Sequence, residues 1–412
     1  MLKVALFVLA VFQFSGGSVL SNLAAALPAR TFVKMPVNAS LNALTFDYSL
    51  MYWDDSGVWN PLAKKMQWVG GPGSCCANPA IFKKVTYDDA TDTWSVAATS
   101  YMGSGHSYDG NALDPVTGYH YFGKFEDNYV KRWNGLTWGM LPALPFSGGT
   151  TPSLAWFPDI NNGAGGLVYL GSDGNLAWYN GTSWTRITGA MLSSYNGFAE
   201  YSPAHKVVWL GGGNGTDRVS YKLSAGLVLT KLKDAPFSIS NSCALHSCDP
   251  VSGKYIVTNQ ANETWWEFDI STDTWTQLTS LTSKPSFGTA CDGNGNNQFQ
   301  VPISDYGVIM YFSDANARNV YLYRHTLGSA AERIRTAPQG ITVSPNPFRC
   351  SVTIRAPFQA ALKIFDIRGR TVASFEGKDE IRWNAEGLPS GVYLLQMNSR
   401  DRVAAEKLLL NR

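Results

Sequence analysis

Charge is the first scarcity. Only 16% of the 412 residues are Asp, Glu, Lys or Arg, and the net charge is +2. That balance disfavours long Glu/Lys-rich surface helices and excludes an electrostatic nucleic-acid binder, which needs a concentrated basic face. Helical periodicity is missing as well: outside the amino terminus, no stretch of ten or more residues shows it. After Phe14 no run is long and apolar enough to span a bilayer, which takes about 20 residues. Chemistry-bearing residues are thin. There are five histidines, His106, His120, His205, His246 and His325. No nucleophile elbow, phosphate loop, zincin helix or intact Ser-x-Asp-x-Gly-x-x-Trp sialidase box is present. "DGNGNN" (292–297) begins like a calcium loop but lacks Gly at the sixth place and has Ile303 where a bidentate Glu belongs. It reads as a hairpin turn. No cofactor, metal or catalytic set is expected from these residues.

Cysteine is sparse at six: Cys75, Cys76, Cys243, Cys248, Cys291 and Cys350. Their spacings match no zinc pattern. Cys350 falls in a separate domain, so at least one of the other five is unpaired or pairs outside its domain. Cys243 and Cys248 sit too far apart along an extended strand to bridge unless the chain bends.

What is abundant points to strands and turns. Gly numbers 39, Trp 14 and Tyr 19. The amino terminus stands apart: Lys3, then the apolar run Val4–Phe14, then Ala24-Ala25-Ala26. Residues 1–26 read as a secretory signal peptide, too short in its apolar run for a membrane anchor. Export would permit disulfides.

A repeat follows. "DPVTGYHYFG" at 114–123 recurs as "DPVSGKYIVT" at 249–258, with prolines at 115, 158, 203 and 250. A parallel series runs Trp94, Trp138, Trp184 and Trp275, with Leu227-Val228 in the one missing place. Steps of 43 to 47 residues suit either helical repeats or propeller blades. The local pattern decides: "KYIV", "GLVYLG", "KVVWLGG" and "GVIMYF" are β-branched and aromatic runs, each entered from a turn. The expectation is an all-β, about six-bladed propeller over residues 31–326. First strands are predicted near 41–46, 107–113, 152–156, 196–201, 242–246 and 286–291. An aromatic insert, "YSLMYWDDSGVWNPLAKKM", is placed inside the first blade. The last blade is expected to take its fourth strand from "TFVKMP" (31–36), leaving no open sheet edge.

"WVGG" (68–71), "WLGGG" (209–213), "YDDATDTW" (87–94) and "FDISTDTW" (268–275) resemble kelch repeats. That resemblance implies a kelch-like β-propeller, a group that includes copper radical oxidases similar to galactose oxidase. Such a site needs two His, two Tyr and a Tyr-linked Cys at one end of the ring. His106 and His246 lie near first strands but at different distances from their turns.

Residues 327–340 form a small and polar linker. From 341 to 412 the repeat stops and a period-two alternation begins, as in Val352/Ile354 and Leu362/Ile364. About seven short strands in a small Ig-like β-sandwich are expected. This tail resembles the C-terminal sorting domain of the type IX (Por) secretion system. The residues that carry the resemblance are Pro345-Asn346-Pro347-Phe348, Asp366 with Gly369-Arg370, Pro389-Ser390-Gly391 with Tyr393, and Lys407. It implies export through that machinery, as partner, to the outer surface or medium.

The recurring Trp residues read as blade packing. Tyr52, Trp53 and Trp59 in the insert break the period and are candidates for stacking on a sugar or a protein. The functional expectation is a secreted or cell-surface propeller that binds a glycan or protein. The alternative is a secreted carbohydrate-active enzyme or a galactose-oxidase-like copper oxidase.

Overall fold

The computed structural model describes residues 18–43, 56–70, 80–103, 107–125, 127–146, 151–189, 192, 195–286, 299–314, 319–327, 342–366, 370–399 and 402–411. The chain divides into two compact units, one of residues up to His325 and one centred on Thr326–Arg412.

The first unit is a β-propeller. Six four-stranded antiparallel sheets lie among its described residues. The first contains Val58–Asn60, Lys65–Gly70, Ala80–Asp88 and Thr93–Gly103. The second contains Asn111–Leu113, His120–Phe122, Lys131–Trp133 and Trp138–Met140. The third begins at Ser153–Phe157, the fourth at Gly197–Ser202 and the fifth at Ala244–Cys248. The last joins Phe299–Ile303, Val308–Asp314 and Asn319–Arg324 to the amino-terminal strand Thr31–Lys34. Phe32 stands opposite Tyr323 in that pairing. Backbone groups on the edge of the last sheet are thereby satisfied by a strand from the other end of the chain.

Inner strands run beside one another from sheet to sheet. Asp109 bridges Ser153, and Ser56 bridges Gln300, which returns the last sheet to the first. The core is made of layers between sheets. Val69, Phe82 and Phe122 fill one layer, and Phe198, Trp209, Tyr255 and Phe268 another. Leu245, Trp265, Tyr311 and Phe32 fill a third. Each fully buried large apolar side chain contributes about 1.5–3 kcal/mol.

Two turns recur. After an inner strand, Gly118 (φ 74°) and Gly253 (φ 73°) take the left-handed conformation that closes the Asp-Pro turn. Gly118 N donates to Asp114 O at 2.8 Å and Gly253 N to Asp249 O at 2.9 Å. Lys64 (φ 52°), Lys206 (φ 54°) and Gly307 (φ 61°) occupy the same place in other sheets. The second turn joins the two outer strands. It places Tyr87 opposite Trp94, Trp133 opposite Trp138, Tyr179 opposite Trp184 and Phe268 opposite Trp275. Ring centroids in these pairs lie 4.6 to 5.5 Å apart. In the fourth sheet the aromatic pair is replaced by Leu223 and Leu229, so Leu229, not Leu227-Val228, fills the missing place.

Two expected strand positions are corrected. Residues 41–46 do not begin the first sheet. Ala39–Ala43 is a short helix capped by Asn38, whose Oδ1 accepts from Leu41 N at 2.9 Å. The first strand is Val58–Asn60, ended by an Asn60-Pro61 turn in which Asn60 Oδ1 accepts from Leu62 N and Ala63 N. The last sheet begins at Phe299–Ile303 rather than at 286–291, and its turn is the segment ending at Gly307; residues 287–298 lie outside the described set.

Among its described residues the second unit holds five strands, where about seven are expected: Thr342–Ser344, Ser351–Phe365, Thr371–Asn384, Gly391–Ser399 and Arg402–Leu410. Two are long because Ser351–Phe365 and Thr371–Asn384 pair as one hairpin that continues past a register shift between Ala356 and Ala360. One edge of Ser351–Phe365 carries that hairpin. The other takes Thr342–Ser344 near its start and Gly391–Ser399 near its end. The core comprises Phe348, Val352, Ile354, Leu362, Ile364, Trp383, Tyr393, Leu395, Leu408 and Leu410.

Candidate functional site

An open cleft of about 680 Å³ lies between the second and third sheets. Its walls include Asn128 and Tyr129, Pro145 and Phe146, Asn175, and Arg186 on the outer strand Trp184–Ile187. Backbone bonds fix both sides: Leu141 N donates to Val130 O and Leu144 N to Asn128 O, each at 2.9 Å. Leu144 is buried and anchors the segment that carries Phe146. Phe146 packs against Tyr169 at 5.7 Å, so its ring is held from beneath. The Arg186 guanidinium lies 5.8 Å from the Phe146 ring and donates from Nη2 to Asn175 Oδ1 at 3.3 Å. Tyr129 is 38% exposed. The cleft therefore offers two aromatic rings, two carboxamides and one fixed cation, and its volume suits a small ligand. Its described walls hold no carboxylate, imidazole or thiol, the groups that general acid–base or nucleophilic catalysis usually draws on.

At the inner strands, Asp109 Oδ2 accepts from Ala199 N at 2.7 Å. Burial pushes the Asp109 carboxyl up to about 8, against hydrogen bonds from Ser56 and Ala199. Burial raises Glu200 well above the usual carboxylate range, and Asp109 adds to the rise.

The histidines are dispersed. His246 is 1% exposed and stacks on Phe198 at 3.8 Å, and burial lowers it to about 3. His120 Nε2 pairs with Asn111 Oδ1 at 2.9 Å, and burial, then Lys84, lowers it well below the ordinary value. His325 joins Tyr323 OH at 2.9 Å through Nδ1 and Glu267 Oε2 at 2.8 Å through Nε2. Lys254 reaches the other Glu267 oxygen at 2.7 Å. His106 lies outside the described residues. Among the described residues, no three or more His, Cys, Asp or Glu side chains gather in a metal-holding group. Cys243 is disulfide-bonded, while Cys248 is a buried free thiol and Cys350 an exposed one.

Of the insert aromatics, Tyr52 and Trp53 lie outside the described residues. Trp59 is 6% exposed inside the first inner strand, opposite Met66. Its ring is thus a packing element and not a free stacking platform. The cleft residues were missed in the sequence because none breaks the repeat. They lie in inter-strand segments and, for Arg186, on an outer strand, none of which departs from the repeat.

The tail motif residues build one another's geometry. Asn346 Oδ1 accepts from Leu409 N at 2.9 Å, and Phe348 exchanges backbone bonds with Leu409 and Asn411 at 2.9 and 2.8 Å. Pro345 and Pro347 flank these contacts. Phe348, Trp383 and Tyr393 form a chain of rings, each step 5.6 Å. Arg370 returns to Asp366: its Nε and Nη2 each lie 2.8 Å from Oδ2, closing the turn between the two long strands. Gly369 in that turn lies outside the described residues. Tyr393 OH donates to Pro389 O at 2.7 Å across the Pro389-Ser390-Gly391 turn. Lys407 is opposite Leu394 in the last strand pair.

Residues 342–411 match the family described as a secretion system C-terminal sorting domain, Por_Secre_tail. The carboxy-terminal unit is thus a sorting domain of the Por, or type IX, kind. It indicates secretion to the cell surface or beyond and implies interaction with that machinery. No helix among the described residues is long and apolar enough to cross a membrane.

No curated protein matches the chain. Solved structures with similar backbones include a fungal alcohol oxidase in complex with copper, at 12% identity and TM-score 0.43, covering 88% of this chain and 98% of that one. Virginiamycin B lyase from Staphylococcus aureus is similar at 10% identity and TM-score 0.42, with coverages of 79% and 95%. A calcium-binding regucalcin from Agrobacterium tumefaciens is similar at 10% and 0.43, with coverages of 67% and 91%. None of these scores reaches 0.5, so the fold rests on the strand pairing described above.

Proposed function

We propose that the propeller is a non-catalytic binding module of kelch-like type, carried out of the cell by its sorting tail, with the Tyr129–Phe146–Arg186 cleft as its ligand site. A glycan is the favoured ligand and a surface protein the second. The carrying observation is the lining of the cleft. Rings that can stack on a sugar face stand beside two carboxamides and a guanidinium that can bond its hydroxyls, and the described walls hold no acid–base pair. The double-glycine strands and the paired aromatics of the outer hairpins support the kelch-like assignment. Tyr52 and Trp53 remain candidates for additional stacking contacts. The copper-oxidase alternative would need His246 free to face a second imidazole, yet its ring is stacked on Phe198 within an aromatic layer.

A glycan array probed with the secreted protein, followed by titration of Tyr129→Ala and Arg186→Ala, tests this reading. Each substitution is expected to weaken binding about tenfold, equivalent to about 1.4 kcal/mol. Full affinity in both variants would remove the cleft from the proposal. A silent array together with captured surface protein would move the ligand class from sugar to protein.

A further inference from the structure

The helix Val19–Ala26 is bound into the propeller. Leu20, Ala24 and Leu27 are 0%, 1% and 5% exposed, and their spacing of four and three places them on one face. Arg324, on the last sheet, is 5% exposed, and its Nη2 donates to the Ala24 carbonyl at 2.5 Å. A guanidinium buried to that extent needs its acceptors, since a lost partner leaves a desolvated charge. The helix start is built too. Ser21 N donates to Ser18 Oγ, and Asn22 N to Ser18 O, each at 3.0 Å. Beyond Leu27 the chain runs directly to Arg30, whose N donates to Arg324 O at 2.7 Å, and into the strand Thr31–Lys34 that completes the last sheet.

A cut after Ala26, where Ala24-Ala25-Ala26 invites one, would strip the helix and its cap away while leaving Leu27 and the closing strand. The folded body would lose the Leu20 and Ala24 contacts and the carbonyl that Arg324 uses. We propose that the export leader ends at Gly17, so that the mature protein begins at Ser18 and keeps the helix as the first element of its closing sheet. The proposal rests on the reading of the amino terminus as a leader.

The sequence accommodates this position. Ser15 and Gly17 supply small residues three and one places before the cut, the pattern that leader peptidases select. The cut follows the apolar run Val4–Phe14 by three residues, whereas Ala26 lies twelve residues beyond it. The reaction is hydrolysis of the Gly17–Ser18 amide. Water supplies the hydroxyl that completes the Gly17 carboxylate and a proton that completes the Ser18 amine. Cleavage precedes folding, so the helix does not guide the peptidase. It shows which residues the folded product uses.

Intact mass and amino-terminal sequencing of the protein from secreting cells test the proposal. A first residue of Ser18 is expected. A start at Leu27, or at any other residue after Met1, overturns it, and an intact Met1 shows that the leader reading itself has failed. A second measurement compares thermal midpoints of chains 18–412 and 27–412. The shorter chain is expected to melt several degrees lower, and equal midpoints overturn the proposal.

Discussion

Phe32 stacks on Tyr323 with ring centroids 4.4 Å apart and planes 25° from parallel. The contact joins the amino-terminal strand to the last sheet, and Trp265 of the fifth sheet closes on the same ring at 4.9 Å. Phe32 occupies the place that Trp takes in the outer hairpins of other sheets. Ring closure thus reuses the packing of the repeat, supplied from the opposite end of the chain.

Phe32→Ala removes a ring that is 2% exposed from this seam. The expected loss is about 3–5 kcal/mol, the range for truncating a buried Phe. Urea denaturation of the variant and the parent measures it. An unchanged midpoint would mean that the strand is decorative and the ring holds without it.

Glu267 predicts an acid-dependent loss of stability in the same seam. The hydrogen bond from His325 lowers its carboxyl to about 2 from the ordinary 4.5, opposed by burial and assisted by Lys254. A carboxyl depressed by folding adds stability above its unfolded value and gives it up as pH falls toward its folded value. Glu267→Gln should therefore melt below the parent at pH 7, and the gap should close between about pH 4.5 and pH 2. Thermal midpoints at pH 7 and pH 3 decide it. A gap that widens on acidification contradicts the assignment.

Gly118 and Gly253 occupy equivalent turn positions but have different neighbours. A Cβ at Gly118 would sit 3.1 Å from Asn60 Nδ2, at the tip of a side chain. At Gly253 it would sit 2.4 Å from Ala204 Cβ and 2.7 Å from Ser202 Oγ. Gly118→Ala should cost about 1–2 kcal/mol from its left-handed backbone alone. Gly253→Ala adds a clash and should cost more than twice as much. Equal losses by chemical denaturation would show that backbone conformation, not space, sets both.

The repeat was legible because two of its turns keep Asp, Pro and Gly in place. It blurred where the geometry persists with other residues. Asn60 and Lys64 make the turn that Asp114 and Gly118 make, with Lys64 at φ 52°. Lys accepts that conformation at a cost, so the copy left no glycine to read, and the first strand was placed too early. The last sheet was misplaced for a similar reason, since its turn has neither Asp-Pro nor the expected spacing. The tail was legible because its motif residues are the ones that hold its turns and core together. The cleft was not, because a cleft depends on which loops meet, and spacing along one chain does not encode that.

Sorting can be separated from folding within the tail. Phe348→Ala deletes a ring that is 2% exposed beside Trp383. The expected cost of about 3–5 kcal/mol is a large share of the stability of a small domain. Fold and export should therefore fail together. Asp366→Ala removes the pair with Arg370, in which the arginine side chain is 72% and the aspartate 14% exposed, together with the acceptor of the Arg370 backbone N–H, and should cost about 1–2 kcal/mol, less than the loss of the Phe348 ring. The tail then stays folded, and any fall in product outside the cell reports recognition of the turn itself. Protease resistance of the tail and the ratio of external to cell-held protein, measured together, distinguish the two. If Asp366→Ala is exported as well as the parent, the ion pair only braces the hairpin and the machinery reads another face.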